Sequence, residues 1–271
     1  MAVTGSPQVL GMLAHDLRWR IVGLLVPGDL RTGEIVASTG QPPSLVSYHL
    51  GRLRDAGLVS ARRSAADGRD TYHALDLDAL GRAVAGVAGR IHPELLAGAG
   101  AGAYADAGAS PGRAGDEGSR LPPAPGDGPG GRTADALFIC TGNSARSPMA
   151  AAWLNHLGAG EVTARSAGVS PGPLHPLAVA AMAEHGVDIS AHRPIPVADL
   201  AGQRFRRVIT LCDRARENCG DLPAASDVVH WSIPNPAEAH PPDLDAFRAT
   251  ARELRARVRY LLPVLDDTTP P

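Results

Sequence analysis

The stretch C-T-G-N-S-A-R-S, Cys140 to Ser147, holds the residue types needed for nucleophilic chemistry on an oxyanion. A cysteine is followed six positions later by an arginine and then by a serine. At a strand-to-helix turn, the N–H groups of Thr141, Gly142, Asn143, Ser144 and Ala145, with the helix N-terminus, make a nest for a tetrahedral anion. Arg146 can clamp two of its oxygens in a planar fork. The same positive field favours a thiolate at Cys140, the form that acts as nucleophile. Ser147 can hydrogen-bond that sulfur, and Asn143 can lock the loop. The other two cysteines, Cys212 and Cys219, stand seven apart in T-L-C-D-R-A-R-E-N-C. Three cysteines, an odd number, argue against a structural disulfide framework.

These thiols need a scaffold, and the pattern after residue 134 supplies one. D-A-L-F-I-C reads as a buried strand, S-P-M-A-A-A-W-L-N-H-L-G as a helix and E-V-T-A-R-S-A-G as a strand. H-P-L-A-V-A-A-M-A-E-H-G is again helical, R-F-R-R-V-I-T-L-C and D-V-V-H-W are strands, and a long helix closes the chain from about Asp243. Strands alternating with helices imply an α/β domain with a four-stranded parallel sheet, which binds ligands at the carboxyl ends of its strands. Cys140 and Cys212 both fall there.

The chain of 271 residues has room for two domains at roughly 100–200 residues each. Residues 97–133, rich in Gly, Ala and Pro without apolar period, read as a flexible linker between a domain at 1–96 and a second at 134–271. The first domain reads as mainly α with a β-hairpin. Leu10, Leu13, Leu17, Ile21, Leu24 and Leu25 predict one helix over about 9–26. A short helix ends at Gly40, and a second begins after two prolines with Ser44 as N-cap and stops at Gly57. Asp67-Gly68 marks a hairpin, and a last helix runs from about Asp78 to Leu96. In the helix after the prolines, Val46, Leu50 and Leu53 share one face while Ser44, Ser47, Tyr48 and Arg52 point away. That is the winged helix-turn-helix arrangement, with a DNA-reading helix and with Arg62, Arg63 and Arg69 on the wing for phosphates.

S-L-V-S-Y-H-L-G-R-L-R-D-A-G-L-V and the hairpin after it resemble the ArsR/SmtB-type winged-helix regulators over roughly residues 8–90. The resemblance implies a homodimer formed through the first and last helices and a palindromic DNA operator. The metal-sensing cysteines of such regulators have no counterpart in L-R-T-G-E-I-V-A-S-T, and no metal site is expected. C-T-G-N-S-A-R-S-P-M-A, with S-A-G, H-G-V-D-I-S, V-I-T-L-C and H-W-S-I-P-N-P-A-E-A in order, resembles the low-molecular-weight tyrosine phosphatase fold over about residues 134–265. Within it, the likeness is to the thioredoxin-coupled arsenate reductases. It implies a relay through Cys140, Cys212 and Cys219 that reduces arsenate, with no bound cofactor and thioredoxin as external reductant.

One departure bears on rate. The family's Asp-Pro pair supplies a general acid, and the pair here is Asn235-Pro236; an amide cannot serve as that acid. Losing such a group typically costs about 10²–10⁴-fold. Two rival readings stay open: a low-molecular-weight protein tyrosine phosphatase fused to a regulator, and a non-catalytic arsenic-responsive repressor whose three thiols bind trivalent arsenic. His175, His185, His192, His230 and His240 lack ligand spacing and read as packing or helix-end residues. Net charge of −2, the absence of an 18-residue apolar run and of a signal-peptide pattern lead to the expectation of a cytoplasmic protein without membrane contact.

Overall fold

The computed structural model describes residues 8–92, 134–218, 222–238 and 241–266. The linker read at 97–133, Cys219 and His240 lie outside the described residues. Contacts divide the chain into two units: Met1–Val26, Thr32–Ser60 and Leu75–Arg120 form one, and Pro27–Arg31, Ala61–Ala74 and Leu121–Pro271 the other. The second unit thus takes in two short segments, 27–31 and 61–74, of the stretch read from sequence as the first domain.

The first unit contains α1 (Gln8–Leu13), α2 (Asp16–Leu25), α3 (Thr32–Thr39), α4 (Pro43–Asp55) and α5 (Leu77–Ile91). The single helix expected over 9–26 is two. His15 is extended (φ −92°, ψ 121°), and its ring nitrogen accepts the N–H of Leu17 as an N-cap, so the chain restarts at Asp16. Helices α3 and α4 are joined by Gly40, Gln41 and Pro42, with Gly40 at φ +64°. The cap of α4 also differs from expectation. Pro42 precedes the helix without a side-chain bond and Pro43 sits at its start, which leaves Ser44 inside the first turn. Gly57, at φ +69°, ends the segment as expected. Leu17, Ile21, Val22 and Leu25 of α2 pack in a core with Ile35, Val46, Leu50 and Leu53.

A small antiparallel sheet of order β1-β3-β2 is built from Leu30–Arg31, Val59–Arg63 and Thr71–Leu75 (β1, β2 and β3). Gly68 turns the hairpin at φ +70°, and Asp67 Oδ1 accepts the N–H of Arg69.

The second unit is organised by a four-stranded sheet of order β5-β4-β6-β7, parallel throughout: β4 Ala136–Cys140, β5 Ala164–Gly168, β6 Arg204–Thr210 and β7 Ala224–His230. Strand β7 begins earlier than D-V-V-H-W suggested, because Ala224 and Ala225 pair with Arg204 and Phe205. Helices α6 (Arg146–Leu157), α7 (Pro176–Ala183), α8 (Asp213–Asn218) and α9 (Leu244–Asp266) complete the fold. All five residues of β4 are buried, as a central parallel strand requires. Phe247, Ala251, Leu254, Val258, Leu261 and Leu265 recur every three or four residues along α9 and seal one face of the core. The strand order reverses at β4, so a crevice opens beyond the carboxyl ends of β4 and β6. Cys140 ends β4 and Cys212 follows β6.

Candidate active site

The loop Thr141–Ala145 leaves β4 and enters α6, and it is strapped down by its carbonyls. Those of Cys140, Thr141, Gly142 and Ser144 accept the N–H groups of Val169, Ser170, Gly172 and His175 at 2.8–3.1 Å. A trans peptide carries its N–H opposite its carbonyl. The N–H groups that follow these carbonyls therefore turn to the other side, where an anion would lie.

Asn143 holds the loop from inside. It is fully buried, at φ 47°, and its amide donates to Ser147 Oγ and Ser166 Oγ, each at 2.9 Å. Its Oδ1 accepts the N–H of Ile195 at 3.0 Å and faces His192 Nε2 at 3.2 Å. Burial pushes His192 below its ordinary pKa, so the ring stays neutral with Nε2–H as donor. Ser147 Oγ lies 3.0 Å from Cys140 Sγ. Against a thiolate, which only accepts, the hydroxyl is the donor.

Gly168 explains the S-A-G motif. A Cβ there would stand 2.9 Å from Thr141 O and 2.9 Å from Asn143 Cβ, so the end of β5 lies against the loop only as glycine. Gly168→Ala is expected to cost about 1–3 kcal/mol in urea unfolding and to displace the loop. A stability within about 0.5 kcal/mol of wild type would show the contact is relieved at no cost.

The loop floors a cavity of about 230 Å³. Cys140, Thr141, Gly142, Ser144, Ala145 and Arg146 line it from below, and Cys212, Arg214, Asn235, Ala237 and Glu238 from the other side, with Ala65 beside them. The buried Arg146 donates from Nη1 to the carbonyl of Ile233 at 3.1 Å, which fixes its guanidinium at the cavity wall. Cys212 is buried, and Thr141 Oγ1 lies 3.3 Å from its sulfur. Two of the three thiols thus face one space.

Beside Cys212 lies a buried polar network. Asp213 Oδ1 accepts from Ser232 Oγ at 2.6 Å and from His230 Nε2 at 3.0 Å, and Asp213 Oδ2 accepts the N–H of Ala65 at 2.7 Å. Thr210 Oγ1 bonds the other ring nitrogen of His230 at 2.8 Å. Burial works against the charge on Asp213, but the hydrogen bonds donated to it prevail and hold it at about 2. Burial pushes His230 below its ordinary value, so the neutral ring donates through Nε2.

In both cases the unfolded chain binds more protons than the folded one, so stability falls with falling pH. The His230 contribution is present above 6.5 and drains as pH drops through its depressed folded value. The Asp213 contribution is present above 3.8 and drains toward about 2. Asp213→Asn is expected to flatten the Tm-against-pH curve below about pH 4. An unaltered acid slope would exclude the carboxylate as its source.

Of the residues read as DNA contacts, Ser44, Ser47, Tyr48 and Arg52 are exposed on α4, and Arg63 and Arg69 are exposed on the hairpin. Arg62 is half-buried, with Glu253, Asp29 and Asp213 as its acidic neighbours.

The model of the family described as low molecular weight phosphotyrosine protein phosphatase matches residues 135–269, and that of the bacterial regulatory proteins of the arsR family matches 15–61. An arsenate reductase of Staphylococcus aureus is 41% identical over 100 residues, which span 37% of this chain and 76% of that protein. One of Halalkalibacterium halodurans is 35% identical over 125 residues, 45% of this chain and 90% of that protein. The C-terminal half belongs to the arsenate reductase family. The chain joins that half to an arsR-family helix-turn-helix.

Ser166, Gly168 and His192 each act on Asn143 from another element; from sequence the first two stood only as part of the S-A-G motif and His192 as a packing or helix-end residue. Arg214 and Glu238 also line the cavity and were unassigned. Arg214, two residues after Cys212, carried a positional signal; Glu238 carried none. Among the described residues, no helix is long and apolar enough to cross a membrane, and no group of three or more His, Cys, Asp or Glu is placed to hold a metal ion.

Proposed function

We propose that the chain is an arsenate reductase that works by a three-cysteine relay and is tied to an operator-binding domain. The observation that carries this reading is that Cys140, on an anion-binding loop, and Cys212 line the same cavity. The Cys140 thiolate attacks arsenate, forming an S–As bond as an oxygen leaves as water. Cys212 attacks the sulfur of Cys140, and the electron pair of the S–As bond passes to arsenic, which departs as arsenite. Cys219 then attacks Cys212, freeing Cys140 and leaving a 212–219 disulfide for thioredoxin.

Helix α8 sets a condition on the last transfer. Residues seven apart at helical spacing are about 10.5 Å apart along the axis, whereas a disulfide needs Cα atoms within about 7 Å. The six residues of α8 therefore unwind during the relay. Arg214 and Glu217 are exposed, and the motion must work against the buried Ala215 and the Asp213 carboxylate with its bonds from Ser232, His230 and Ala65.

The test is arsenate-dependent oxidation of reduced thioredoxin. Wild type is expected to turn over and Cys140→Ser and Cys219→Ser to fail. Wild type that oxidises no thioredoxin rejects the coupled enzyme. The phosphatase reading is the weaker one, because it needs only the loop thiol and leaves Cys212, which lines the same cavity, without a role.

For the regulator half, the exposed Ser47, Tyr48 and Arg52 of α4 are the proposed readers of an operator, with Arg63 and Arg69 on its phosphates. Exposed Leu10 of α1 and Val84 and Ile91 of α5 fit a homodimer through the first and last helices. A monomer at micromolar concentration in sedimentation equilibrium would reject that dimer.

A further inference from the structure

Asn235 removes the acid from its usual place, but the cavity holds another carboxyl. Among the described residues that line it, Glu238 is the one carboxylic side chain. It ends the 3-10 turn Pro236–Glu238, whose N–H bonds back to the carbonyl of Asn235 at 3.1 Å. The amide of Asn235 donates to Glu238 Oε1 at 3.3 Å. We propose that Glu238 is the general acid of this site, held by the Asn235 amide and delivering a proton to the oxygen that leaves when Cys140 attacks. The assignment rests on the oxyanion-transfer reading given above.

The chemistry needs such a group. Arg146 and the loop N–H groups stabilise the oxygens that stay on the substrate, and none of them can protonate the one that leaves. In the step, the Cys140 thiolate, hydrogen arsenate dianion and the Glu238 acid give the S–AsO3²⁻ adduct, water and the Glu238 carboxylate. One S–As bond forms, one As–O bond breaks, the proton moves from Glu238 to the departing hydroxide, and arsenic stays pentavalent. The amide fits its new role. It positions the Glu238 carboxyl beside the cavity and cannot itself serve as the acid. Glu238 is exposed, so its carboxyl is in contact with solvent.

The test uses the full chain and Glu238→Gln, Asn235→Asp and the double variant. Each is assayed for hydrolysis of phenyl phosphate and 4-nitrophenyl phosphate and for single-turnover loss of thiols on arsenate. Glu238→Gln keeps an acceptor for Asn235 and removes only the acid. It is expected to lower phenyl phosphate cleavage about 10²-fold, with a much smaller loss on 4-nitrophenyl phosphate, whose leaving group needs no proton. Arsenate-dependent thiol loss is expected to fall about 10-fold or more. Asn235→Asp in the same background is expected to restore the phenyl phosphate rate. Equal losses on both esters overturn the assignment. A leaving-group split without any arsenate chemistry leaves the acid standing and rejects the reductase. Arsenate turnover that Glu238→Gln does not change rejects the acid and leaves the reductase standing.

Discussion

Cys140→Ser is expected to abolish arsenate-dependent thiol oxidation, a loss on the order of 10⁴-fold or more, with the fold intact. A hydroxyl at this position fills nearly the same buried space at the end of β4. It can still bond Ser147, whose Oγ lies 3.0 Å from the native sulfur. What disappears is the thiolate nucleophile, because a serine hydroxyl gives up its proton far less readily than a thiol. Circular dichroism and urea midpoint should match wild type, while thioredoxin oxidation falls to the background rate. Cys212→Ser supplies the complementary result: one S–As adduct accumulates per chain, visible by mass spectrometry, without catalytic turnover. Residual turnover in Cys140→Ser would place the nucleophile elsewhere and remove the basis of the reading.

Asn143→Ala is expected to lower stability by about 3–4 kcal/mol and the arsenate-dependent rate by roughly 10²–10³-fold. Two effects combine. Alanine at the left-handed φ of 47° is strained by about 1–2 kcal/mol. Four hydrogen bonds are also lost, two given to Ser147 and Ser166 and two taken from Ile195 N–H and His192. The stranded buried donors cost about 1–3 kcal/mol each, less what relaxation recovers. Asn143→Gly separates the effects, since glycine accepts the backbone and still lacks the amide. Glycine is expected to recover stability relative to alanine, yet to remain slow. Urea unfolding and single-turnover thiol titration read the two quantities. An alanine variant within about 1 kcal/mol of wild type would show that the straps from residues 169–175 hold the loop unaided.

Local pattern was enough for the four parallel strands and the three longer helices after residue 134, because buried strands read as short apolar runs and the helices as longer segments between turn signals. It also picked out the Cys140–Ser147 segment as one loop between a strand and a helix, because its residues are contiguous. It failed where a local rule had a competitor. The apolar spacing over 9–26 has no means of signalling that His15 would cap a new helix with its ring. Ser44 is a good N-cap by type, yet two prolines before it start the helix earlier. Helix α8 has no apolar period to detect, since among its described side chains Ala215 is the one buried apolar group.

The sequence by itself determined the chemistry on offer: a thiol, a fork of arginine donors, two further thiols and a missing acid, in an order that names the fold. Tertiary structure alone decided which of these meet. Parallel pairing sets Cys140 opposite Gly168 and Thr210 opposite Ile139, which brings two loops that are seventy residues apart in sequence to one crevice. The same closure turns His192 onto Asn143 and brings Asn235 and Glu238 to the cavity that Cys140 lines. Such contacts depend on where distant backbone lies, and residue type carries no record of that.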